Sequence, residues 1–62
     1  MASELKKLYG VATEEFGVIG RVKLALLTKI SSEKAGSVPD SPDNVILFKQ
    51  ALTKMRAEAK AR

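Results

Sequence analysis

Val18-Ile19-Gly20-Arg21-Val22-Lys23-Leu24-Ala25-Leu26-Leu27-Thr28-Lys29-Ile30 is the most apolar stretch of the chain, and its reading decides the fold. On a helix, Val18, Ile19, Val22, Leu24, Ala25, Leu26, Leu27 and Ile30 fall on nearly every side. A helix that is apolar most of the way round needs cover most of the way round. The chain has 62 residues, and a domain of that size buries only about 60% of its unfolded surface. Small scaffolds lean on disulfides, a metal or a second chain. With Cys 0 and His 0, disulfides and the thiolate or imidazole sites typical of zinc and copper are excluded. Neither cofactor nor metal is expected, and association with another chain is the remaining support.

Outward from this stretch, helical periodicity extends in both directions. Ser3 is a good N-cap. With Leu5 at heptad position a, the a positions are Leu5, Ala12, Ile19 and Leu26, and the d positions are Leu8, Glu15, Val22 and Lys29. Tyr9, Phe16, Lys23 and Ile30 fall at e, and Val11, Val18 and Ala25 at g. This is the broad apolar face of a globular helix, wider than a coiled-coil seam. The opposite face carries Gly10, Gly17, Gly20, Arg21 and Thr28, interrupted by Leu24 and Leu27. Each interior glycine costs roughly 1 kcal/mol against alanine. The apolar phase continues across Gly17, so one continuous helix over about 3–34 is expected, ending before Gly36. The alternative is a break near Gly17–Gly20 and a three-helix bundle.

Gly36, Ser37, Pro39, Asp40 and Ser41 are turn formers and mark a loop, with Val38 tucked beneath it. A second helix over about 42–60 has a clear start: Ser41 as N-cap, Pro42 in the first helical position, and Asp43 in the first turn. Val45, Phe48, Leu52, Met55 and Ala59 form its apolar stripe, which Ile46, Leu47 and Ala51 widen. The run after Met55 has few apolar anchors and is expected to fray. Pro 2 and an aromatic content of 5%, with no sustained alternation, argue against strands. The expected fold is an all-α antiparallel helical hairpin in one domain, dimerising into a four-helix bundle.

The net charge of +4 is uneven: residues 1–32 carry +2, residues 33–44 carry −2 and residues 45–62 carry +4. The polar N-terminus and the interruptions at Arg21, Lys23 and Lys29 give neither a targeting segment nor a run of ~20 apolar residues for a membrane span. A cytoplasmic protein without membrane association is expected.

Catalysis has little to work with. The usual nucleophile and base pairs need His or Cys. Glu14 and Glu15 are adjacent and point about 100° apart on a helix. Asp40 and Asp43 flank a helix start, where capping accounts for them. Glu15, at a core edge, reads as the ion-pair partner of a Lys or Arg. Gly17-Val18-Ile19-Gly20-Arg21 lacks both the spacing and the preceding strand of a phosphate loop. Its glycines instead suit a close helix approach.

The expected function is therefore a non-enzymatic protein–protein interaction or oligomerisation module with a structural or adaptor role. Its partner is a second copy or another helical protein, and Phe16, Ile19, Leu24, Leu27, Ile46 and Leu47 are the candidate interface. The alternative is nucleic-acid binding through Lys54, Arg56, Lys60 and Arg62, although no aromatic stacking platform accompanies them.

Overall fold

A computed structural model describes residues 3–61. Every regular element among them is helical: α1 (Glu4–Phe16), α2 (Val18–Thr28), the single-turn α3 (Ser32–Ala35) and α4 (Pro42–Lys60). The chain is all-α, as its periodicity implies. The continuous helix expected over 3–34 is instead three elements, so the break near Gly17 is the architecture observed.

Gly17 makes that break. Its φ of 73° and ψ of −156° lie in a region open essentially to glycine alone. Its N–H still closes α1 on the Thr13 carbonyl at 2.7 Å, and the Gly20 N–H bonds back to the Gly17 carbonyl at 3.1 Å. One residue thus reverses the chain. Continuity of apolar phase in the sequence did not reveal this, because a single-residue joint inserts almost nothing into the register while redirecting the backbone completely.

Beyond the joint α2 runs back along α1. Tyr9 in α1 donates its hydroxyl hydrogen bond to the carbonyl of Ile30, just past the end of α2. Gly20 sets the closeness of the approach. A Cβ placed there would lie 2.5 Å from both the Ala12 carbonyl oxygen and the Phe16 Cβ. Only a residue without a side chain fits at this level, so the face of α2 containing Gly20 must be the one turned inward. Leu24 and Thr28 follow on that face, and all three are buried.

α2 ends at Lys29, which adopts the left-handed conformation at φ 61° and bonds to the Ala25 carbonyl at 2.7 Å. The expected stop before Gly36 thus comes seven residues early. Ser31 then starts α3, accepting from the Lys34 N–H at 3.3 Å. Gly36 does stand as a terminator, but of this short turn. Residues 36–41 form the expected loop, and Val38 packs partly buried against the core.

α4 starts as its sequence indicates. The Ser41 hydroxyl accepts from the Asn44 N–H at 3.3 Å, and Pro42 and Asp43 occupy the first turn. The helix stays regular through Lys60 rather than fraying after Met55. It runs alongside α1 in the same direction: Asp40, just before its start, meets Glu4, and Arg56, near its end, meets Glu15. The core between α1, α2 and α4 contains Leu5, Tyr9, Ala12, Leu24, Phe48, Leu52 and Met55, with Ala35 of α3 closing one end. Tyr9 and Phe48 meet edge to face, centroids 5.6 Å apart at 74°, an arrangement that aromatic quadrupoles favour.

Candidate functional site

The turn at Gly17 exchanges the faces of the decisive stretch. In a continuous helix, Ile19, Val22 and Leu26 would share the core face with Leu5, while Leu24 would lie on the polar side. In the folded chain Leu24 is 0% exposed and belongs to the core. Its place among the interface candidates is therefore corrected: it is covered by this chain's own helices. Val18, Ile19, Val22 and Leu26 point outward instead, at 69%, 67%, 53% and 71% exposed. At about 100° per residue they occupy one arc of roughly 100°, opposite the Gly20–Leu24–Thr28 face.

The remaining candidates divide. Phe16 is half-buried against the core. Leu27 lines a shallow groove between α2 and α4, together with Lys23, Leu26, Lys54 and Glu58. A second groove, sharing Lys23 and Glu58 with the first, carries Phe16 and Ile19 into the same surface. The structure thus brings Phe16, Ile19 and Leu27 together. Leu47 is exposed at the N-terminal end of α4. Ile46, also exposed, lines a further groove on α4 with Lys49 and Gln50, which meets the α2 groove only at Lys54. Val18, Val22 and Leu26 were absent from the predicted interface. Only the position of the chain reversal could have placed them outside.

Charge borders the outer stripe. Arg21, Lys23 and Lys29 are exposed, and the sequence of α2 contains no acidic residue. Among the described residues the one ion pair within 4.0 Å joins Arg56 to Glu15. It is bidentate, with Arg56 Nε donating to Glu15 Oε1 at 2.8 Å and Nη2 donating to Oε2. The hydrogen bond from Arg56 holds the Glu15 carboxyl below its usual range, and Glu15 in turn raises Arg56 further. This is the rim pairing expected of Glu15.

Among the described basic tail residues, Arg56 and Lys60 line one groove and Lys54 stands apart from them. Lys54 and Arg56 lie about 160° apart around α4 at ~100° per residue. Lys54 faces the α2 groove while Arg56 is engaged with Glu15. Lys60 is exposed, and Arg62 lies outside the described residues.

Asp40 is likewise committed to structure. It accepts from the Glu4 N–H at 2.9 Å, and its other oxygen lies 3.2 Å from Ser3 Oγ. The backbone hydrogen bond from Glu4 holds its carboxyl below the usual carboxylate range. Asp40 therefore caps α1, not the helix it precedes. Among the described residues no buried side-chain nitrogen or oxygen lacks a partner, and no cluster of three or more His, Cys, Asp or Glu is placed to hold a metal ion. No helix among them is long and apolar enough to cross a membrane. No known protein family, curated protein or solved structure matches the chain.

Proposed function

We propose that this chain is a small non-enzymatic interaction module that docks another helical protein through the outer face of α2. One observation carries the reading: four aliphatic side chains stand in solvent on a helix whose opposite face is already covered by the chain's own core. Those side chains contribute little to the monomer. Covering them would be worth up to about 1.5–3 kcal/mol each, less the part already shielded. The absence of His and Cys, together with the capping and ion-pair roles of Asp40 and Glu15, supports a binding role over a catalytic one.

The test is to make Val22→Asp and Leu26→Asp and compare folding with association. Exposed substitutions of this kind usually change stability by no more than about 0.5 kcal/mol, so both variants are expected to melt like the parent. Binding of an amphipathic helical peptide selected on the parent chain, read by fluorescence anisotropy, is expected to be lost in both. Variants that fail to fold would show that the stripe belongs to the core of the isolated chain, and would overturn the reading.

A further inference from the structure

We propose that the partner seated on the outer face of α2 is an acidic amphipathic helix of another protein, an inference that rests on the docking role above. The stripe is flanked by cations on both sides. At about 100° per residue, Arg21 lies roughly 60° beyond Val18 on one edge, and Lys23 roughly 40° beyond Ile19 on the other. Lys29 follows at the C-terminal end, and Lys54 of α4 reaches the groove that Lys23 and Leu26 line. Glu58 is the one carboxylate lining that groove. Among the described residues none of these four cations is held in an ion pair within 4.0 Å. The surface thus offers an apolar centre with free positive charge on either side.

A second copy fits this surface poorly. A two-fold axis sets the same patch against itself. Two copies of α2 would bring Arg21, Lys23 and Lys29 of one against those of the other, with no α2 carboxylate to separate them. Like charges facing across an interface disfavour that pairing. A partner helix with Asp or Glu beside its own apolar stripe answers every cation. Spacing favours a helix too. Ile19, Val22 and Leu26 stand at i, i+3 and i+7 over about 10 Å of helix, the spacing by which one amphipathic helix meets another. Of the three aromatic residues, Tyr9 and Phe48 are buried and Phe16 is half-buried at the edge of the stripe, so the stripe lacks the exposed rings that help seat a helix in a lipid interface.

A display library of amphipathic helical peptides tests this. Its apolar stripe is fixed as leucine and its flanking positions are randomised. Binders are selected on the full chain and counter-selected on Leu26→Asp. The selected flanks are expected to be rich in Asp and Glu. Measured by fluorescence anisotropy, such a peptide is expected to bind less tightly as salt rises. Arg21→Gln and Lys23→Gln are expected to weaken it about two- to fivefold each, as loss of an exposed ion pair does. Flanks without acidic preference, or unchanged binding to Lys23→Gln, would overturn the acidic partner and leave the docking role standing. The same holds if the chain sediments as a dimer dissociated by Leu26→Asp, whereas Leu26-dependent binding to phosphatidylserine vesicles would overturn the acidic partner and the protein-docking role together. A library yielding no peptide that discriminates Leu26→Asp from the parent would overturn the partner and the docking role together.

Discussion

Two glycines of α1 and α2 make opposite demands, and alanine distinguishes them. Around Gly10 a Cβ would meet nothing within 4 Å. Gly10→Ala is therefore expected to stabilise the protein by about 0.5–1 kcal/mol through helix propensity. Gly20→Ala gains the same propensity but drives a methyl to 2.5 Å from the Ala12 carbonyl oxygen. It is expected to destabilise by about 1–3 kcal/mol, the cost of overpacking a tight contact. Denaturant unfolding reads both, and a stabilised Gly20→Ala would mean that α1 and α2 do not approach this closely.

Tyr9 is the only tyrosine in the chain, so absorbance near the phenolate band reads it alone. Burial pushes its phenol above the ordinary value, against the hydrogen bond of Thr28 and the charge of Arg21. Because the folded pKa is raised, the neutral phenol stabilises the fold fully below the unfolded value, about 10. That contribution is lost as pH rises through the folded value, since the unfolded chain releases its proton first. The native titration midpoint is expected above that of the denatured chain. Tyr9→Phe is expected to cost about 1 kcal/mol at neutral pH, the worth of one hydrogen bond, and to lose this alkaline dependence. Coincident native and denatured midpoints would refute the buried, donating hydroxyl.

At the scale of elements, both long helices next to the loop depend on small polar caps. Ser41→Ala removes the acceptor for the Asn44 N–H and is expected to cost about 1 kcal/mol. Asp40 joins two elements, since it sits in the loop before α4 and caps α1 at Glu4. Its folded pKa is depressed, so its contribution is present above the ordinary carboxylate pKa, about 3.9, and is lost as pH falls through the lower folded value. Glu15, lowered by Arg56, acts in the same direction. Asp40→Asn is expected to lower Tm at pH 7 and to flatten the decline of Tm in acid. Adding Glu15→Gln is expected to flatten it further. An unchanged acid profile in the double variant would remove both groups from the account.

At the scale of the whole molecule, the distinction between core and docking face predicts a contrast between two leucines two residues apart. Leu24→Ala opens a cavity at a site that is 0% exposed and is expected to cost about 2–5 kcal/mol. Leu26, 71% exposed, is expected to change stability by no more than about 0.5 kcal/mol on truncation. Equal losses in thermal unfolding would place both side chains inside and remove the docking face.

Much of this was legible in the sequence. The all-α class follows from apolar residues spaced three and four apart. Ser3, Ser41-Pro42-Asp43 and the loop over 36–41 act through neighbours within a turn of chain, and each stands where the residues indicate. Val38 under the loop and Glu15 paired with a base also followed from local pattern. Tertiary structure alone decided the direction of the chain at Gly17, the face of α2 turned inward, and the helix that Asp40 caps. The physical reason is range. Periodicity shows which residues share a face but not which face meets the core. That choice was made where Gly20 meets Ala12 and Phe16, by contacts that exist only once the chain has folded back on itself.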